Sequence, residues 1–123
     1  MLKINVFLKE KIKEINIALE SQHTDMYELI GSVRDPFSSP YITKPIADPD
    51  VVKELWEVLS RVFINSGVYD NQFDAINAMG DINLYADKLN IYLDLNELEK
   101  WRKDHDDSNS KLEILECVDD ILI

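Results

Sequence analysis

Apolar residues recur at helical spacing from the start of the chain. Ile4, Leu8, Ile12, Ile15 and Leu19 follow one another at intervals of four, four, three and four residues. This spacing places them on one face of an amphipathic helix. The whole chain contains only 3 glycines and 4 prolines, so residues that interrupt helices are scarce. The pattern predicts a long first helix and favours helices throughout.

The clearest helix begins at Asp48-Pro49. Aspartate is a good N-cap, and proline suits the first helical position because it has no N–H to leave unpaired. Gly67 is well placed to end this helix. Its apolar face is broad and predicts the centre of the core: Val52, Leu55, Trp56, Leu59, Val62 and Phe63.

Two further helices are predicted after Gly67. Asp70 is placed to cap one that ends at Gly80, and Asp81 is placed to begin the next. The apolar positions are Phe73, Ile76 and Met79 in the first, and Ile82, Tyr85, Ala86 and Leu89 in the second. Residues 91–95 fit a short strand or the tail of a helix equally well, because a short apolar run has no diagnostic period.

Three residue pairs have the spacing of a capping box, in which two side chains satisfy the free N–H groups of a helix start. They are Asp25 with Glu28, Asp94 with Glu97, and Ser110 with Glu113. With these starts the sequence predicts one all-α domain over residues 1–123, an irregular bundle of about six or seven helices. A single short strand pair around residues 91–95 stays open.

Residues 34–50 contain all four prolines, which predicts an irregular connection. A connection of this length is longer than most, and long loops often have a function. The preferred interpretation is a packed crossover held in place by Phe37, Tyr41 and Ile46, since proline-rich connections usually serve geometry.

The charge is strongly negative and unevenly distributed. The chain has 24 acidic and 13 basic residues, a net charge of -11. Residues 1–65 contain 10 acids and 8 bases, whereas residues 66–123 contain 14 acids and 5 bases. Such a field repels nucleic-acid phosphates and anionic membranes and attracts basic proteins, besides keeping a small protein in solution. We therefore expect a basic protein partner, no direct nucleic-acid binding and no membrane contact.

The single cysteine, Cys117, excludes an internal disulfide, which fits a reducing compartment. No apolar run approaches the roughly 20 residues of a membrane span. Residues 1–8 mix basic and apolar residues instead of separating them as a signal peptide does. We expect a cytoplasmic protein.

No catalytic or cofactor motif is present in the sequence. Nucleophilic catalysis needs a nucleophile beside a base, and Cys117 lies in the final apolar stripe next to Val118, where a buried thiol is usually inert. One candidate base is His23. The second histidine, His105, is the only other base of that type. The three glycines are isolated, so no phosphate-binding loop can be formed. We expect a protein that is not an enzyme and has no cofactor.

The segment around residues 104–110 has part of a calcium-loop pattern. Asp104, Asp106 and Ser108 occupy its first, third and fifth positions. Asn109 stands where the loop needs glycine, and Leu115 stands where it needs a bidentate glutamate. A solvated acidic linker is the preferred interpretation, and no metal site is predicted.

Acidic residues alternate with tyrosines over the second half of the chain, which favours a protein-binding surface. Tyrosine supplies contact area at low entropic cost, and acids steer a basic partner. For Tyr85 and Tyr92 the competing interpretation is a core position with the hydroxyl at the edge, and for Tyr85 it is preferred. The residues predicted to bind the partner are Tyr69, Asp70, Asp74, Asp81, Asp87, Asp104, Asp106 and Asp107.

In size, charge and helical pattern the chain resembles the immunity proteins of bacterial contact-dependent growth inhibition and bacteriocin systems. The run Ser66-Gly67-Val68-Tyr69-Asp70 is similar to the Ser-Gly and Tyr elements of the helical immunity proteins that block nuclease colicins. The paired tyrosines of that family are absent. The resemblance implies a non-catalytic, cytosolic inhibitor that binds and blocks a toxin domain, commonly a nuclease with a basic cleft.

Three other binding functions remain open, with a small enzyme as the last alternative. An acidic secretion chaperone would carry a central sheet, a nucleic-acid mimic would carry few basic residues, and a divergent calcium-binding protein would lose stability with a chelator. The sequence leaves the oligomeric state open. The apolar end at residues 121–123 is expected to pack inside the domain more readily than to pair with a second copy.

Overall fold

The computed structural model describes residues 3–20, 25–39, 44–105 and 112–123. These residues form six α-helices and one 3-10 helix and include no strand. This confirms the predicted all-α bundle, and residues 91–95 are an irregular segment instead of a strand or a helix end. The helices are α1 (Lys3–Glu20), α2 (Tyr27–Arg34), α3 (Pro49–Asn65), α4 (Tyr69–Lys88), α5 (Asn96–Asp104) and α6 (Leu112–Leu122), and the 3-10 helix is Asp35–Phe37.

The centre of the bundle is the pair α3 and α4. Helix α3 begins at Pro49 after Asp48, as predicted, and its apolar face is fully buried. It ends at Asn65, and residues 66–68 lead directly into α4. The side-chain amide of Gln72 donates to the carbonyl oxygen of Phe63 at 2.8 Å, which fastens the start of α4 to the end of α3.

The predicted helix break at Gly80 is wrong, because α4 is one helix of 20 residues. Gly80 has an ordinary helical backbone, and a helical glycine weakens a helix by about 1 kcal/mol without ending it. The left-handed residue that ends α4 is Asn90, at φ 58°. There Ile91 N–H donates to the carbonyl oxygen of Ala86 at 2.8 Å, the contact that defines a Schellman helix end.

The other helices pack around this pair. Helix α1 buries its predicted stripe, with Leu8, Ile12 and Ile15 in the core, against α2 and α3. Helix α5 contacts α3 and α6. Helices α2 and α6 both pack on α4, and over the described residues their backbones make no close approach to each other. One line of α4 is therefore left uncovered between them.

The predicted capping boxes do not form in the described helices. Helices α2 and α5 each begin one residue later than their box requires, and neither has a side-chain cap. Instead, Asp25 accepts a hydrogen bond from Tyr27 N–H and Asp94 accepts one from Asn96 N–H, each at 3.0 Å. Aspartate makes such turns because its short side chain reaches the backbone two residues on. Ser110 lies outside the described residues.

The proline-rich connection is held by Tyr85, which is in the core as preferred from the sequence. Its hydroxyl accepts hydrogen bonds from the N–H groups of Ile46 at 3.0 Å and Ala47 at 3.4 Å. Its ring packs edge-on against Phe37, with 4.9 Å between centroids. Tyr41, the third residue expected to hold this connection, lies outside the described residues.

Candidate partner-binding surface

One line of α4 faces outward along almost the whole helix. Asp70, Asp74, Asn77, Asp81 and Leu84 follow at intervals of four, three, four and three residues, and none of them is buried. These intervals keep side chains on a single helical face. The unbroken course of α4 through Gly80 is what aligns the acids before the glycine with the acid after it.

Helices α2 and α6 form the two sides of this line. From α6, the Cys117 thiol lies 3.8 Å from Oδ1 of Asn77. From α2, Arg34 reaches Asp81. We call this surface the α4 face. It consists of the outward line of α4 together with Asp25, Tyr27 and Arg34 on one side and Tyr69, Glu113, Glu116, Cys117 and Asp120 on the other.

A cation lies at the middle of the α4 face. The Nε atom of Arg34 donates to Oδ2 of Asp81 at 2.6 Å, and both side chains are partly accessible, at 42% and 22%. The charge of Arg34 also acts on Asp74 and Cys117, where it favours the ionised form. Arg34 therefore lies within electrostatic reach of both sides of the face.

The surroundings of Asp74 disfavour its ionised form. Partial burial raises the pKa of its carboxyl group, and the nearby charges of Asp70 and Asp25 raise it further, against the opposing effect of Arg34. Within the described residues Asp74 has neither a hydrogen bond nor an ion pair. A half-buried carboxylate among like charges is stabilised by any cation that reaches it.

The acids of α6 belong to the same field. Partial burial raises the pKa of the Cys117 thiol, and neighbouring carboxylates raise it further. In decreasing order of effect these are Asp120, Glu116 and Glu113. Cys117 contacts α4 through Asn77, so these acids lie beside the outward line of α4.

Two tyrosines stand at the end of the α4 face where α4 begins. Tyr69 is 40% exposed and stacks on Phe73, with ring centroids 6.1 Å apart. Partial burial and the charges of Glu113 and Asp70 raise the pKa of its hydroxyl. Tyr27, at the start of α2, is 67% exposed. Tyrosine is enriched among the residues that contribute most to protein–protein binding.

A groove of about 510 Å³ follows α2 and the 3-10 helix from Tyr27 to Ser38, and Asp74 lines it from α4. Gly31 leaves its floor open, since a Cβ atom there would meet nothing within 4 Å. The charged and aromatic residues along the groove are Tyr27, Glu28, Arg34, Asp35 and Asp74. Three of them are acids, and the one cation is the arginine already paired with Asp81.

The structure brings four of the predicted site residues together: Tyr69, Asp70, Asp74 and Asp81. Asp87 is exposed but lies six residues beyond Asp81, which at 3.6 residues per turn places it roughly 120° around α4. It therefore belongs to a different surface. Asp106 and Asp107 lie outside the described residues.

Asp104 lies at the end of α5, away from the α4 face. It lines a second groove with Arg61, Lys100 and His105. Cations and acids alternate there, so this groove has no strong sign of charge. Tyr92 lies beside an adjoining groove and is 75% exposed, so the interpretation of Tyr92 as a core residue is wrong.

Sequence reasoning missed Tyr27, Arg34 and the acids of α6 as members of the surface. If α4 is taken as one continuous helix, the intervals between Asp70, Asp74 and Asp81 predict that these acids share one face. The position of Arg34 had no signal, because it depends on how α2 packs against a helix 47 residues away.

The groups considered for chemistry have separate partners. The His105 ring stacks on Trp101 at 4.2 Å, and its Nδ1 lies 2.8 Å from the Trp101 carbonyl oxygen. The Cys117 thiol contacts Asn77. In the described parts of the chain no three His, Cys, Asp or Glu side chains are grouped closely enough to hold a metal ion. Of the calcium-loop pattern, only Asp104 falls in the described residues.

Comparison of the chain with protein-family models, with curated proteins and with solved structures found no match. Across the described ranges, no helix combines the length and apolar character needed to cross a bilayer. The α4 face is therefore interpreted from its own chemistry.

Proposed function

We propose that this protein is a non-catalytic inhibitor of the immunity type, which neutralises a bacterial toxin by binding a basic domain of it through the α4 face. The observation that carries the proposal is the uncovered line of α4, with Asp70, Asp74 and Asp81 on one side of the molecule and exposed Tyr27 and Tyr69 at its end. A nuclease is the preferred class of toxin, because a cleft that holds nucleic acid is basic.

The arrangement fits the two requirements of such an inhibitor. It must bind before the toxin acts, and a one-signed field raises association rates well above those of neutral surfaces. It must also dissociate slowly, which depends on aromatic anchors surrounded by polar residues. The acids of α4 and α6 supply the first property, and the two tyrosines supply the second.

The test is capture of the partner from a lysate of the native host, followed by an activity assay of that partner. Protein immobilised at low salt should retain one basic protein in a 1:1 ratio. After separation, this partner should damage nucleic acid or arrest growth, and adding back the free protein should abolish that activity. A captured protein with no toxic activity, or one whose activity is unchanged by the free protein, excludes the proposal.

Two pairs of charge-reversal variants test whether the toxin binds at the α4 face. The double charge reversal Asp70→Lys with Asp74→Lys should release the captured toxin at lower salt than the unmodified protein does. The control is Glu10→Lys with Glu54→Lys, which changes the net charge equally at exposed positions on α1 and α3. Equal weakening by both pairs would mean that only the net charge matters and would exclude the α4 face as the site.

Competition distinguishes how inhibition occurs. If the protein occupies a nucleic-acid-binding cleft, double-stranded DNA or RNA should compete with it for the toxin in proportion to the affinity of the toxin for that nucleic acid. Absence of competition, with inhibition intact, would indicate binding beside the active site.

A further inference from the structure

Asp81 and Asp74 lie on the same line of α4 but differ in one respect. Asp81 is paired with Arg34, whereas Asp74 has no hydrogen bond or ion pair within the described residues. Seven residues separate them, which is roughly 10 Å along a helix axis. Arg34 therefore shows, inside this molecule, how a guanidinium fits between α2 and α4. The equivalent position beside Asp74 is not filled by a cation of the described residues.

The groove between α2 and α4 has the chemistry that an arginine side chain requires. Its carboxylates at Glu28, Asp35 and Asp74 are complementary to a cation, and the exposed Tyr27 lines the same groove. Guanidinium pairs with carboxylate through two parallel hydrogen bonds and stacks on aromatic rings, whereas the ammonium of lysine does neither as well. The groove volume of about 510 Å³ accommodates a side chain of that size.

We propose that this groove is the docking position for an arginine of the basic partner, with its guanidinium against the Asp74 carboxylate and beside the Tyr27 ring. The inference rests on the proposed function for the existence of a basic partner. It adds which group of the partner is bound, and by which residues. The uncovered face of α4 is then occupied by an arginine-bearing segment of the partner lying between α2 and α6.

The test uses the whole protein and synthetic peptides in place of the natural partner. Three short peptides are matched in length and alternate glycine with arginine, with lysine or with neutral citrulline. Titrations followed by backbone NMR should show the arginine peptide binding about fivefold to tenfold more tightly than the lysine peptide, with the largest shifts at Tyr27, Gly31 and Asp74. The citrulline peptide should not bind.

Two variants and one control define the site. Asp74→Asn removes the charge and keeps the shape, and should weaken the arginine peptide about tenfold. Tyr27→Ala should weaken binding of the arginine peptide by a larger factor than binding of the lysine peptide, so the preference for arginine should fall. Glu54→Gln, an equal loss of charge on α3, should leave affinity almost unchanged. Circular dichroism and the melting temperature check that each variant is folded.

The results separate this inference from the proposed function. Shifts spread evenly over the acidic surface, or affinity that Asp74→Asn leaves unchanged, overturn the arginine position even if a toxin is captured and inhibited. Shifts confined to the groove and lost in Asp74→Asn support the arginine position, and they do so even if no captured protein proves to be a toxin, in which case the proposed function fails alone.

Discussion

The Nε atom of Arg34 lies 2.6 Å from Oδ2 of Asp81, and this contact joins α2 to α4 across 47 positions of sequence. It places one positive charge in the middle of an acidic surface. Because Asp81 has this partner and Asp74 has none within the described residues, acids on one helical line have different roles. Asp81 is engaged by another helix of the fold, and the Asp74 carboxylate is not.

The first prediction concerns the strength of this ion pair. In a double-mutant cycle with Arg34→Gln and Asp81→Asn, we expect a coupling free energy of about 0.5 to 1 kcal/mol, because both side chains remain partly accessible to solvent. Urea denaturation of the four proteins measures it. A coupling near zero would show that α2 is held on α4 by its apolar contacts alone.

The second prediction concerns the pH dependence of stability at Asp74. Its pKa is raised in the folded protein, so ionisation of this carboxyl costs folding free energy. Asp74→Asn should therefore raise the melting temperature at neutral pH, by about 1 to 3 °C. The difference should shrink as the pH falls through the folded pKa of Asp74, since the native carboxyl is then neutral as well.

Asp119 provides a control, because its pKa is shifted in the opposite direction to that of Asp74. The hydrogen bond from Arg102, at 2.7 Å, lowers the pKa of Asp119. Its ionised form therefore stabilises the fold above the unfolded pKa, and this contribution is lost as the pH falls through the folded pKa. Asp119→Asn should lower the melting temperature slightly at neutral pH. If both variants shift it in the same direction, charge loss in general and not the local environment is responsible.

The third prediction concerns Gly80 in the middle of α4. A Cβ atom at this position would meet nothing within 4 Å, and the backbone is helical. Gly80→Ala should therefore stabilise the protein by about 0.5 to 1 kcal/mol, mainly by restricting the unfolded chain. Gly31→Ala, in α2 with equally open surroundings, is the matched variant. Loss of stability in Gly80→Ala, measured by urea denaturation, would contradict an open position on α4.

The fourth prediction concerns the hydroxyl of Tyr85. Tyr85→Phe keeps the ring against Phe37 but leaves the N–H groups of Ile46 and Ala47 without their acceptor. We expect a loss of about 1 to 2 kcal/mol, the usual cost of leaving buried donors unpaired. Hydrogen exchange at Ile46 should become faster, while exchange in α3 stays slow. Unchanged exchange at Ile46 would mean that other contacts hold the connection.

The fifth prediction separates the two sides of α4. With the captured partner, Asp74→Lys should slow association about tenfold at low salt, and Asp87→Lys should slow it much less, because Asp87 lies roughly 140° around the helix from Asp74. Stopped-flow mixing at several salt concentrations measures both rates. Equal slowing by the two variants would assign the steering to total charge and not to the α4 face.

The sequence was sufficient for the helical class and for the core of α3, because both depend on local spacing. Val52, Leu55 and Phe63 repeat at helical intervals, and any structure of this chain that buries them forms an amphipathic helix there. Asp48 and Pro49 also specify its start without reference to the rest of the chain.

The course of α4 could not be predicted in the same way. Gly80 followed by Asp81 has the pattern of a helix end and a new start, yet packing of α4 against α2, α3 and α6 outweighs the cost of one glycine. The arrangement of the α4 face follows from this tertiary effect. Residue types therefore identified Tyr69, Asp70, Asp74 and Asp81, whereas their alignment and their neighbours Tyr27 and Arg34 required the fold.

The short connection at residues 66–68 has a consequence for the time the protein needs to fold. It joins α3 and α4, the helix pair with the most extensive contact, so the largest single interface of the core lies between neighbours in sequence. Helical domains, which are rich in local contacts, fold in roughly microseconds to milliseconds. A newly made chain is then expected to present its acidic surface almost as soon as it leaves the ribosome, so that synthesis and not folding sets the delay.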